Sequence, residues 1–186
     1  LQINILFQGR FRKENIMIIS AFPACGKTYA FEKIKNIKGL NVLDSDSSKF
    51  SWMYITDEKY EYRNRGKHGY KERKIKVRNP DFPNNYIQHI KENMNNTNYL
   101  FVSSHKAVRE ALKENNIPYV LVYPERDRLN EWVGRCYIRG NDKAFIDTMI
   151  EHWNEWITEC ENEDGCTEKI PLKSGYLWEL IKERSR

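Results

Sequence analysis

Lys27 stands in the run Ala21–Thr28, AFPACGKT, among residue types that hold phosphate. A short apolar stretch, Asn15–Ala21, precedes it. A helical pattern with Ala30, Phe31 and Ile34 follows. At such a strand–loop–helix junction the main-chain N–H groups of Ala24, Cys25, Gly26, Lys27 and Thr28 can surround a phosphate, and the helix N-terminus adds favourable polarity. The Lys27 ammonium would reach the outer phosphates of a nucleotide, and the Thr28 hydroxyl would be a ligand of Mg2+. Pro23 has no N–H to give, so the cradle depends on its neighbours. Residue 21 is the awkward one: a glycine there eases the turn out of a strand, and alanine forbids some positive-φ conformations. An ordinary junction with a surface lysine is the competing interpretation. Cys25 reads as a small filler rather than a nucleophile.

Seventeen positions after Lys27 comes Asp44-Ser45-Asp46 at the end of a second apolar run. Alternation along a strand sends both carboxylates to one side. Two carboxylates facing a phosphate site can divide the work. One holds Mg2+ through water, and the other accepts the proton of an attacking hydroxyl. DSDSS is also rich in helix-capping residues, so a cap or turn is the alternative. Arg135 and Arg139, four apart, share a helical face. Either they meet a charged ligand or they form surface ion pairs such as Glu131 with Arg135. His105 follows Ser103-Ser104 at the end of a third strand, where it can touch a substrate or cap the next helix.

These groups need a frame, and the chain supplies alternating elements. Strands are expected at 15–21, 41–46, 99–104, 118–124 and 167–172, and helices at 27–36, 84–93, 106–115, 129–139, 143–161 and 176–183. Residues 47–94 read as helical pieces around Pro80 and Pro83. Alternation of this kind predicts an α/β fold with a parallel sheet of about five strands covered on both faces. Ligands of such sheets gather beyond the carboxyl ends of the strands. The Gly26 loop, Asp44/Asp46, Ser103–His105 and the segment after Pro124 all fall there.

At 186 residues one domain is expected. Leu6-Phe7-Gln8-Gly9 resembles a viral-protease cleavage site, so residues 1–13 read as an expression-tag remnant and 14–186 as the domain. Setting aside Arg10, Arg12 and Lys13 takes the formal charge from +5 to about +2, so overall basicity argues little. Its distribution argues more. Lys59–Arg78 has nine Lys or Arg against two Glu, with Tyr60, Tyr62 and Tyr70 interleaved. Such a stripe can hold a polyanion by charge and by base stacking, or it is a solvated face. Cys25, Cys136, Cys160 and Cys166 form no CxxC pair and no zinc pattern, and reduced thiols are expected. No apolar run approaches the ~20 residues of a membrane span. A cytoplasmic protein is expected.

The strand, the GKT loop and the helix resemble the P-loop of the nucleoside/nucleotide-kinase superfamily. The strand followed by DSD is similar to that of shikimate kinase, although the later glycine-rich substrate motif of that enzyme has no counterpart here. Polynucleotide 5′-kinase has an acidic residue at the corresponding strand end. The strings AFPACGKTY, LDSDSSKFSW and RNPDFPNNYIQHIK resemble bacteriophage-encoded P-loop kinases, including those that phosphorylate 5-hydroxymethyluracil in DNA. The resemblance implies the three-layer P-loop fold of the nucleotide-kinase type, with ATP and Mg2+. It assigns Lys27 to the phosphates, Asp46 as base, and Thr28 and Asp44 to the metal. Arg135 and Arg139 become lid arginines within 127–143. It puts an acceptor region at 47–96, with Trp52, Tyr54, Arg63, Arg65, Arg78, Asn79, Asp81 and Tyr86 as candidates and His105 nearby. The third strand ends without the aspartate common in motor-type ATPases. The function implied is γ-phosphoryl transfer from ATP to a hydroxyl of a nucleoside-like acceptor, first 5-hydroxymethyluracil in phage DNA. The alternatives are a (deoxy)nucleoside monophosphate kinase and a nucleotide-binding regulator or NTPase without an acceptor.

Overall fold

A computed structural model describes residues 16–69 and 71–184. The expected tag remnant 1–13, Asn15 and Tyr70 lie outside the described residues. Five strands form one parallel sheet: β1 (Met17–Ala21), β2 (Val42–Asp44), β5 (Tyr99–Ser103), β6 (Val120–Pro124) and β7 (Glu168–Leu172), in the order β2-β5-β1-β6-β7. β1 is central, with Ala21 beside Ser103 on one neighbour and Val122 on the other. β5 and β6 are apolar along nearly their whole length and buried throughout, apart from Ser103, as befits strands covered on both faces.

The helices are α1 (Lys27–Ile34), α2 (Ser48–Ser51), α3 (Glu58–Asn64), α4 (Asn84–Met94), α5 (Lys106–Glu114), α6 (Leu129–Arg139), α7 (Lys143–Glu161) and α8 (Leu177–Arg184). The β1–α1–β2 crossover runs to one side of β1, and β5–α5–β6 runs to the other. Right-handed crossovers therefore set α1 and α5 on opposite faces of the sheet. α8 packs with α1, α4 with α5, and α7 lies against β6. The result is an α/β fold of three layers. Arg109 joins α5 to the end of α7 and the turn after it: its Nη2 pairs with Glu159 at 3.4 Å, its Nε donates to Glu163 at 2.7 Å, and its Nη1 reaches the Ser104 carbonyl at 2.5 Å.

Residues 47–94 depart from the expected string of helices. Within them β3 (Trp52–Thr56) and β4 (Lys74–Arg78) pair as a separate antiparallel ribbon, with α3 in the connection. KIKVR alternates with period two and WMYIT is β-branched and aromatic, so both suit an extended, half-exposed pair. The ribbon is tied to the main body at its root, where Asn79 N–H donates to Ser51 O at 3.1 Å.

Candidate functional site

β1 ends at Ala21, which is fully buried and keeps a negative φ. The left-handed turns fall later, at Ala24 (φ 61°) and Gly26 (φ 91°). An alanine at position 21 is therefore harmless, because the backbone there is still strand. Phe22 N–H continues the sheet by donating to Val122 O at 2.9 Å, and Cys25 N–H closes a turn onto Phe22 O at 3.2 Å.

α1 then starts without a cap. No side chain bonds its N-terminus, and no acidic residue lies in its first turn. The N–H groups of Gly26, Lys27 and Thr28 have no acceptor among the described residues. Such unpaired donors are what an anion would satisfy. The half-buried Lys27 folds back to donate to Ala21 O at 2.8 Å. Burial lowers its pKa, and the charge of Arg139 adds to this. Asp44 and Asp46 act in the opposite sense, which brings all four charges into one neighbourhood. Cys25 is fully enclosed, its Sγ 3.9 Å from Val122 O, and burial pushes its thiol up to about 12. A thiol held protonated in this way is no nucleophile.

β2 delivers Asp44 to α1: the Thr28 hydroxyl donates to Asp44 Oδ2 at 2.8 Å. Ser45, between the two aspartates, is fixed by its backbone. Its N–H donates to Phe101 O at 2.9 Å and its carbonyl accepts from Tyr86 Oη at 2.8 Å. Tyr86 Oη also accepts from Ser103 N–H at 3.3 Å, so one phenol joins the ends of β2 and β5. The Ser45 Oγ is buried with no partner among the described residues. Asp46 is exposed and spans Ser48, taking its N–H at 2.9 Å and its hydroxyl at 2.7 Å. Partial burial raises the Asp46 pKa. The two Ser48 bonds, with Lys49 and Lys27, outweigh it and leave the carboxyl below the usual aspartate range. Asp46 thus closes the turn that leads into α2, whose N-cap residue is Ser47.

The two arginines of α6 have different surroundings. Arg135 is buried and fully engaged. It bonds Glu131 at 2.5 Å, Gly175 O at 2.6 Å and Ala24 O at 3.3 Å, and lies 4.1 Å from the rings of both Trp132 and Tyr176. Trp132 adds a bond from Nε1 to Pro23 O at 2.9 Å. Tyr176 covers Gly26, and Leu177 N–H donates to Cys25 O at 2.8 Å. These contacts hold Ala24 in a conformation that alanine otherwise avoids. Arg139, one turn on, is exposed with no ion-pair partner among the described residues.

The remaining expected site residues divide into two groups. His105 is the N-cap residue of α5, without a side-chain capping bond. Its pKa is lowered, by desolvation first and then by the charges of Arg78, Lys27 and Arg109. Trp52 and Arg78 are cross-strand partners at the ribbon root, guanidinium 4.2 Å from the indole centroid. Asp81 is exposed and starts the turn into α4, its carbonyl accepting from Asn85 N–H at 3.1 Å. Arg63 and Arg65 lie exposed at the end of α3, and no hydrogen bond or ion pair among the described residues brings them to the loop. Among the described residues no three His, Cys, Asp or Glu side chains gather as a metal cage. A divalent ion held by Thr28 and Asp44 would complete its shell with water and phosphate oxygens, which is how Mg2+ is ordinarily bound.

Trp132 and the Gly175-Tyr176 turn, which form the outer wall of the loop, were not expected from the sequence, whereas the Glu131–Arg135 ion pair was one of the two alternatives and is present. One signal was readable, a glutamate three residues after Tyr176 at a helix start, and Glu179 does accept from Tyr176 N–H at 3.0 Å. No family model matches the chain, and comparison with curated proteins and with solved structures finds no match.

Proposed function

We propose that the chain is an ATP- and Mg2+-dependent phosphotransferase of the P-loop kinase type, acting on a hydroxyl of a nucleoside-like acceptor. The observation that carries this is the Thr28–Asp44 contact at 2.8 Å beside an uncapped helix N-terminus. It joins the loop to the second strand where a nucleotide-bound metal would need both. The unpaired N–H groups of residues 26–28 suit a phosphate chain, and Lys27 can leave Ala21 O for a phosphate oxygen. Mg2+ would neutralise charge on the phosphates and orient them. Asp46 would aim the acceptor hydroxyl and take its proton as the new oxygen–phosphorus bond forms and the bond to the ADP oxygen breaks. Arg139 is the lid arginine free to face the transferred group. Arg135 is a positioning residue, because its bonds and both ring faces are already used.

The first acceptor to test is 5-hydroxymethyluracil in DNA. Transfer of labelled γ-phosphate is measured to such DNA, to free nucleosides and nucleotides, and without acceptor. Labelled DNA or nucleoside supports the proposal. Free phosphate as the only product replaces it with a nucleotide-binding regulator or NTPase. With a hydroxyl acceptor, Asp46→Asn should lower turnover by the ~10²–10⁴-fold typical of base loss. One observation favours a second reading, a (deoxy)nucleoside monophosphate kinase. The Ser48 bonds make Asp46 a weak base, and an acceptor phosphate, already ionised, needs little help from one. A labelled nucleoside diphosphate product, with an unaffected Asp46→Asn rate, would select it.

A further inference from the structure

We infer that the β3–β4 ribbon is a binding face for a single nucleic-acid strand, running outward from the candidate site. This names the kind of molecule that would bear the acceptor in the proposed reaction, but its test needs no phosphoryl transfer.

The register fixes which side chains share a face. Trp52 pairs with Arg78, Tyr54 with Lys76 and Thr56 with Lys74, and side chains of directly opposed residues project together. One face of the ribbon therefore carries two aromatic rings and three cations, while Met53, Ile55, Ile75 and Val77 take the other. Tyr54 is 67 % exposed. Trp52 is overlaid by Arg78 at 4.2 Å and by Lys76 at 4.8 Å. Neither Lys76 nor Arg78 has a carboxylate partner among the described residues. Lys74 is 4.0 Å from Glu72. Residues 52–78 hold nine Lys or Arg against four Asp or Glu. That surplus equals the formal charge of the whole chain, +5.

The arrangement fits one class of ligand. Alternate residues along a strand are roughly 6.7 Å apart. Lys74, Lys76 and Arg78 thus form a row of cations at about the pitch of successive phosphates in an extended polynucleotide. Tyr54, opposite Lys76 and mostly exposed, offers a flat surface to an unpaired base, a sequence-tolerant contact, while Trp52 underlies the Arg78 and Lys76 cations and reports on what they bind. In a duplex the bases are already stacked on one another, so the Tyr54 ring would have nothing to receive. The direction of the track follows from its root. Asn79 N–H bonds Ser51 O at 3.1 Å beside the Trp52–Arg78 pair, and Trp52 directly follows the short helix whose first residue, Ser48, gives its N–H to Asp46. A strand on this face would lead into the space beside Asp46.

The test is a fluorescence titration of the full chain, without nucleotide, against a short oligothymidylate, the matching RNA, a DNA duplex, heparin and vesicles rich in anionic lipid. The expected result is binding of oligothymidylate or RNA with a change in tryptophan emission that Trp52→Phe removes. Tyr54→Ala should weaken that binding by about tenfold or more, and Tyr54→Phe should leave it intact. Because Tyr54 is mostly exposed, neither change threatens the fold. Two phosphates held by Lys76 and Arg78 would contribute about −1.4 to the slope of log affinity against log salt, and Lys76→Ala should make the slope shallower by about 0.7. Duplex binding as tight as the single strand overturns the inference, as does preference for heparin or vesicles. So does wild-type affinity in Tyr54→Ala. A strand bound in this way by a protein inactive as a kinase would sink the reading of the preceding section while leaving this one standing.

Discussion

Gly26→Ala puts a methyl group where the structure has none to spare. A Cβ at that position lies 2.9 Å from Tyr176 Cδ1 and 3.0 Å from Tyr176 Cβ. The ring could swing, but the Cβ cannot: Leu177 N–H is held on Cys25 O at 2.8 Å and Tyr176 N–H on Glu179 at 3.0 Å. Two costs add. The φ of 91° is unfavourable to alanine by about 1–2 kcal/mol, and forcing an extra carbon into a filled contact costs about 1–3 kcal/mol. A total near 3 kcal/mol would lower Tm by roughly 6–12 °C in a chain of this length. The two contributions separate in a double-mutant cycle read by thermal denaturation. Tyr176→Gly removes the obstructing atoms while keeping a residue tolerated at a helix start. In that background Gly26→Ala should cost only the backbone part, a coupling of about 1–3 kcal/mol. Costs that add to within about 0.5 kcal/mol would refute the close approach of the C-terminal helix to the loop. An unchanged Tm would refute the left-handed turn as well.

Three further outcomes follow from the same contacts. Burial lowers the Lys27 pKa, so nucleotide affinity, followed by calorimetry, should weaken as pH rises towards that lowered value, before the ordinary 10.5; Lys27→Arg should flatten this dependence, and an identical profile in both would refute it. Arg139→Ala should reduce turnover with little change in Tm, whereas Arg135→Ala should lower Tm because it frees the loop from Glu131 and Gly175; equal Tm values would contradict the division of roles. Arg109→Met breaks a buried pair and should cost about 3–5 kcal/mol in urea denaturation. In the wild type, burial raises the Glu163 pKa, but its bonds from Arg109 and Gly165 hold it below the usual glutamate value. The stability this pair supplies is therefore full above about pH 4.5 and lost as pH falls through the lowered pKa; the variant should lack that acid-sensitive part.

Much of the frame was legible because its signals are local. Apolar runs such as YLFVS and VLVYP, set between helical patterns, identified all five strands of the parallel sheet to within a few residues. The helix boundaries of α6 and α7 were readable because Gly140 ends one and Asp142 caps the other. The resemblance put Thr28 and Asp44 at one place, where residue types alone left the choice between Asp44 and Asp46 open, and the Thr28 and Asp44 side chains do meet. The ribbon escaped notice because its lysines and arginines obscured a period of two that Ile75 and Val77 carry in plain sight. Arg135 was assigned with Arg139 because helical spacing says only that two side chains share a face. What fills the space in front of each depends on Trp132, Gly175 and Tyr176, and no local pattern links residue 135 to residue 176. For the same reason Ala21 looked like a defect, when the turn it was expected to make belongs to Ala24 and Gly26.

The loop after β1 leans on Gly175, Tyr176 and Leu177, about 150 residues further along the chain. During synthesis the ribosome makes the GKT segment early and its outer wall late. Until translation has passed Leu177, Arg135 has no Gly175 carbonyl to hold and Gly26 has no cover. A nascent chain would therefore carry every charged group around the loop while the turn at Ala24 and Gly26 is still unsupported, so the loop takes its final shape only when the polypeptide is long enough to close the wall.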